Sequence, residues 1–211
     1  MSPRPATHRA PALARREALL VAAVEVVAER GVGGATHRAI AARAGVPLST
    51  TSYFFGSLDD LIVAALRVFV VSSIDELNGL ARAVSESALS PAQTVDLLVD
   101  ALVAEPRAST IAQFEIYLEA ARRSELQAEV KQILASFEEL ARSALESLGA
   151  RDPKQGARAL VAVADGFALQ RLAAPRGRHD GNALREALLD LLVVQVMSDA
   201  EHAKRRAKLA S

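Results

Sequence analysis

The chain has no cysteine among its 211 residues, which excludes disulfides, thiolate metal sites and thiol catalysis. Tryptophan is also missing, and aromatics reach only 4% against 51% hydrophobic residues. The length suffices to bury a core, but that core must be built from Ala, Leu and Val, a composition that favours helices. No apolar run approaches the ~20 residues that a bilayer span requires. The start, MSPRPATHRAPALARR, contains no apolar core of signal-peptide length, so a soluble, cytoplasmic protein with no membrane partner is expected. No stretch alternates with period two over a useful length, and strands are not expected. The four histidines, at 8, 37, 179 and 202, have no companion at metal-ligand spacing on a helix face. Neither a nucleophile elbow nor a phosphate-cradling glycine loop is present. Glu115 and Glu119, four residues apart, read as a solvated face rather than a catalytic pair. No enzyme, no metal and no cofactor are therefore expected.

A net charge of zero argues against a nucleic-acid partner until the charge is mapped along the chain. Residues 1–70 hold eight Arg and five acids, net +3; residues 71–200 hold thirteen basic and nineteen acidic groups, net −6; residues 201–211 hold four basic groups and one acid, net +3. A basic head on an acidic body is the asymmetry expected when only one end meets phosphate.

The stretch from Thr36 to Phe55, THRAIAARAGVPLSTTSYFF, contains two short helical signals around a tight turn. Thr36 suits an N-cap. Ile40 and Ala44 share a face among small alanines. Gly45 stands where a left-handed residue ends a helix, and Pro47 fits the first turn of the next. That second helix, expected over 47–54, carries Leu48, Ser49, Thr50, Thr51, Ser52 and Tyr53, a run no core needs but one suited to phosphates and base edges. This pattern is a helix-turn-helix whose second helix enters the major groove.

With the alanines at 22 and 23, then Glu29, Arg30, Gly31, Thr36, the Ile40–Ala41 pair, the triplet Ala44 to Val46 and the ending YFFGSLDDLIVAAL, residues 15–66 resemble the N-terminal DNA-binding domain of TetR-type transcriptional repressors. The resemblance covers about a quarter of the chain; beyond it the match is one of length and helical layout. It implies an all-α protein with an N-terminal three-helix DNA-binding domain and a C-terminal helical domain for ligand binding and dimerisation, about nine helices in all. Two departures stand out: Leu58 where the family has a lysine, and Ser52 where it has a tyrosine, with Tyr53 one place later. Tyr53 and the first amides of helix 4 are expected to take over those phosphate contacts, with lower non-specific affinity. Base readout is expected from Arg38, Leu48, Ser49, Thr50 and Thr51. Phosphate contacts are expected from Arg15, Arg16, Thr36, His37, Ser52 and Tyr53, with Pro47 at the interface.

Residues 1–12, rich in proline, are expected to be a mobile arm, with minor-groove contacts through Arg4 and Arg9 as the functional alternative. The helix-turn-helix domain is expected over 13–56, the ligand-binding and dimerisation domain over 57–200, and a basic mobile tail over 201–211. Helix 1 spans 13–30 and stops at Gly31; helix 4 starts after Ser57 and runs to about Leu77. Ser90-Pro91, Glu105-Pro106, Ser124 and Asp152-Pro153 open the next four, and the last covers about 182–198. The final two helices carry wide apolar stripes, Leu160, Val161, Ala164, Phe167, Ala168 and Leu172, then Leu184, Leu188, Leu189, Leu191, Leu192, Val193, Val194 and Val196. The resemblance implies a homodimer built on them, with Leu160, Ala164, Ala168, Leu184, Leu188, Leu191 and Leu192 at the interface; a plain monomer core is the alternative. Its partners are then a palindromic double-stranded operator, a second copy and an unidentified small-molecule effector, mostly uncharged. The resemblance also implies a pocket within helices 4 to 8, with Phe69, Gln113, Phe114, Tyr117, Phe137, Asp165, Phe167 and Gln170 as candidate lining. A helical enzyme or an adaptor lacking DNA binding is the competing function.

Overall fold

The computed structural model describes residues 9–87, 89–197, 200, 201 and 208. Nine α-helices follow one another, with no strand among the described residues: α1 (Arg9–Arg30), α2 (His37–Arg43), α3 (Ser49–Phe54), α4 (Leu58–Glu86), α5 (Pro91–Ala104), α6 (Arg107–Arg122), α7 (Gln127–Ser147), α8 (Pro153–Ala173) and α9 (Arg178–Val196). The all-helical layout expected from the composition is the one observed. Helix α1 begins four residues earlier than the periodicity indicates, at Arg9. Most of the expected arm, and residues 202–207 and 209–211 of the tail, lie outside the described residues.

The local reasons for these elements are the ones the residue types supply. The Ser90 hydroxyl accepts from the Gln93 amide while the Gln93 side chain accepts from the Ser90 amide, a reciprocal cap with Pro91 behind it. Asp152 accepts from the Gln155 amide at the start of α8. At the end of α7, Gly149 adopts φ 71°, so its own amide and that of Ala150 reach back to Glu146 and Leu145. Helix α4 outruns its expected stop by nine residues, because Asn78 and Gly79 weaken a helix without breaking it.

Two compact units emerge. The first joins the chain up to Ser73 with Pro106–Lys131, and the second joins Ile74–Glu105 with the chain from Gln132. In the first, α1 packs against α2, α3 and α6, and Leu19, Val27, Ile40, Leu61, Leu66 and Ile116 are buried. Helix α6 thus belongs with the helix-turn-helix, although it lies far along the chain in the stretch assigned to the body by a linear division at residue 57. In the second, Val95 and Val99 of α5, Ala141 and Leu145 of α7, Ala157 and Leu160 of α8, and Leu184, Leu188 and Leu192 of α9 form one core. A second cluster joins Ala81 and Val84 of α4 to Leu140 and Ala144 of α7. Gly156 lets α8 approach closely: a Cβ there would stand 2.8 Å from the Leu145 side chain.

Candidate nucleic-acid interface

The turn between α2 and α3 is built by Gly45. At φ 66° it permits its own amide to bond the Ala42 carbonyl at 3.3 Å and the Val46 amide to bond the Ala41 carbonyl at 3.0 Å. Both late carbonyls of α2 are satisfied in this way and the chain reverses. At the other end of α2 the Thr36 hydroxyl accepts from the Ala39 amide at 3.1 Å. Pro47 and Leu48 form a turn ahead of α3 rather than its first helical residues, with Thr50 N–H donating to Pro47 O and Thr51 N–H to Leu48 O.

Helix α3 is two-faced. Leu48, Ser49, Ser52 and Tyr53 are exposed, Tyr53 at 65%, and their spacing puts them on one side. Thr51 and Phe55 are buried on the other. Thr51 corrects the expectation of a base-reading hydroxyl: it is 1% exposed and its Oγ1 donates to Leu48 O at 2.8 Å, so it anchors the helix from inside. Thr50 is half-buried, and Ser52 Oγ donates to Ser49 O at 3.2 Å. Pro47, Thr36, Arg15, Arg16 and Arg38 are exposed, whereas His37 is half-buried with Nδ1 turned inward without a hydrogen-bond partner. The Arg16 guanidinium lies 5.4 Å from the centre of the Phe55 ring, which holds α1 over the end of α3.

The basic character of this unit is partly spent internally. Arg43 binds Glu25 at 3.2 Å and also Glu29, locking α2 to α1. Arg67 binds Glu129 at 2.7 Å. Both guanidinium groups are thus engaged by carboxylates of the same unit, and nothing in sequence order separates them from Arg38. Helix α4 opens as expected, with the Ser57 hydroxyl accepting from the Asp60 amide at 3.0 Å. Arg123 grips Asp59 there and holds its carboxyl below the usual aspartate range, while the guanidinium is raised in turn.

The expected pocket residues divide between the two units. In the first, Gln113 Nε2 donates to the Tyr117 hydroxyl at 3.1 Å, and Phe114 meets Tyr117 edge-on at 5.9 Å; Phe69 is half-buried on α4. In the second, Phe137, Asp165 and Phe167 are half-buried, and Gln170 is exposed. Phe167 borders a cavity of about 20 Å³ with Leu102, Val103, Ala164, Ala168, Arg171, Asp180 and Leu184. That volume holds a water molecule and not an effector; Arg171 there is bonded to the Val103 carbonyl at 3.1 Å.

Four of the seven expected dimer residues, Leu160, Leu184, Leu188 and Leu192, need correction. Leu160, Leu184, Leu188 and Leu192 are buried within their own chain, Leu191 packs against the same core, and Ala164 and Ala168 line the small cavity. Part of each stripe on α8 and α9 is covered by α5 and α7 of the same chain. What these helices leave in solvent is Leu169 at 52%, Val193 at 54%, Val194 and Val196.

Among the described residues no helix is long and apolar enough to cross a membrane, and no group of His, Asp and Glu is placed to hold a metal ion. Residues 19–69 match the family described as bacterial regulatory proteins, tetR family, and residues 89–194 match the tetracyclin repressor-like C-terminal domain. HTH-type transcriptional regulator BetI of Rhizobium meliloti (strain 1021) is 30% identical over 133 residues, a span of 62% of each chain. BetI 1 of Chromohalobacter salexigens is 26% identical over 195 residues, 90% of this chain and 94% of that one. Among solved structures, a member of the TetR family from Streptomyces coelicolor A3 superposes with a TM-score of 0.66 at 32% identity, covering 84% of this chain and 97% of that one. The multidrug binding protein EbrR complexed with malachite green superposes with a TM-score of 0.60 at 35% identity, covering 84% and 97%.

Proposed function

The chain belongs to the TetR family of transcriptional regulators, and from that premise we propose that it is a repressor that grips a two-fold symmetric operator as a homodimer and lets go when a small molecule binds. One observation carries the proposal: α3 is anchored through Thr51 and Phe55 while Leu48, Ser49, Ser52 and Tyr53 stand in solvent, as does Arg38 on α2. A six-residue helix held from one side, with small polar groups on the other, is shaped to lie in a major groove. Arg38, Leu48 and Ser49 read bases in this scheme, with Thr50 at the margin; Thr36, Ser52, Tyr53, Arg15 and Arg16 hold phosphates. The second copy docks on the surface bearing Leu169, Val193, Val194 and Val196. Helix α4 starts beside α3 and runs into the second unit, which makes it the natural element whose two positions an effector biases.

The effector class we propose is an aromatic cation, in place of the uncharged molecule expected from the aromatics alone. EbrR, 33–35% identical, has been seen with proflavin and with malachite green, and residues 71–200 of this chain hold six more acidic than basic groups. Aromatic rings such as Phe114 and Tyr117 supply faces that attract such ligands. The test is a mobility shift on a duplex selected from random sequence, with and without malachite green. Saturable dye binding by the DNA-free protein, together with release of the duplex at dye levels that leave an unrelated repressor bound, is the expected result. Absence of saturable binding would refute the ligand class, and absence of any selected duplex would refute the function.

A further inference from the structure

Within the first compact unit, a chain of charges ties the end of α6 to the start of α4. Glu119 of α6 is only 5% exposed, a place where carboxylates are rarely found unless paired. Its Oε1 accepts from Arg122 Nη1 at 2.9 Å, and its Oε2 pairs electrostatically with Arg123 Nε, 2.9 Å away. Arg123, which ends α6, points its other two nitrogens at Asp59 in the first turn of α4: Nη2 donates to Oδ1 at 3.0 Å and Nη1 to Oδ2 at 2.5 Å. One planar guanidinium thus binds two carboxylates, doubly at Asp59, a geometry that a lysine ammonium does not reproduce. Asp59 comes five residues after the end of α3, so whatever fixes it also fixes how α3 leaves the turn.

We infer that Arg123 is a positioning residue for DNA binding, clamping the first turn of α4 to the end of α6 so that α3 is held at its working angle. The inference rests on the DNA-binding function proposed above. It gives α6 a part in operator recognition although none of its side chains needs to touch DNA. The neighbouring Asp60 provides a matched control, since it occupies the same turn, is exposed and has the same charge.

The experiment compares Asp59→Asn with Asp60→Asn on a selected operator and on random duplex, with thermal unfolding measured alongside. Both variants remove one negative charge near the phosphates, so their non-specific binding should change alike. Asp59→Asn is expected to lose affinity for the operator on the order of tenfold, with little change in melting temperature because the pair lies at the surface. Asp60→Asn should keep the wild type's ratio of operator to random-duplex affinity, and Asp59→Glu, which keeps the carboxylate, should recover most of the loss. Equal operator binding by the two asparagine variants would overturn the inference, as would a loss in Asp59→Asn that merely follows a large drop in melting temperature. Failure of the wild type to bind any selected duplex would refute the DNA-binding function itself, a result distinct from either.

Discussion

Placing aspartate at both Leu169 and Val193 is expected to leave the chain folded but monomeric and to weaken operator binding by ~10²–10⁴-fold. Both side chains are about half exposed in the single chain, so a carboxylate at either costs the isolated fold little. In a two-fold interface each substitution occurs twice, and four carboxylates would then have to leave water without partners, a cost no apolar surface repays. A lone head keeps its contacts to one half-site. What it loses is the second head held at high effective concentration over the other half-site. Sedimentation equilibrium reports the oligomeric state and a mobility shift the affinity. Leu184→Asp is the contrast: Leu184 is buried in the core of the second unit, and a charge there should unfold the protein rather than split it. A dimer that survives the double substitution would show that the second copy docks elsewhere.

Arg38→Ala is expected to lower operator affinity far more than affinity for random DNA. A guanidinium bonded to one guanine by two hydrogen bonds contributes ~1–3 kcal/mol of discrimination, and a dimer uses two. The combined loss is therefore on the order of 30-fold to 10⁴-fold on the operator, with a small uniform loss elsewhere from the missing charge. Arg38 is exposed in the first turn of α2, unlike Arg43, which is committed to Glu25 and Glu29. Titration of the variant on both duplexes at one salt concentration measures the ratio. Equal losses on the two would make Arg38 a phosphate contact and leave base readout to α3.

The helices and the turn at Gly45 were legible in the sequence because their causes are local: Thr36, Ser90 and Asp152 cap, prolines open and glycines close. The face of α3 was only half legible. Ser49 to Ser52 reads as one uniform hydroxyl run, and six residues are too few for a period to show which member turns inward. Thr51 does so because α1 and α2 pack there. Pairing between distant segments left no mark at all. Nothing near residue 119 indicates that α6 packs on α1, or that Arg123 meets Asp59 across 64 positions. The leucines of α9 misled for a related reason: a stripe broad enough for a second copy is equally broad enough for α5 and α7, and the distinction lies in tertiary packing alone.

The central claim is that the solvent-facing side of α3 reads the operator. Selection from random duplexes, run in parallel with the wild type and with Leu48→Ala/Ser49→Ala, tests it most directly. The wild type should enrich a two-fold symmetric site with half-sites about one helical turn apart. The variant should lose preference at a symmetric pair of positions while keeping its salt-sensitive, sequence-blind binding. The same preferred sequence from both proteins would contradict the account.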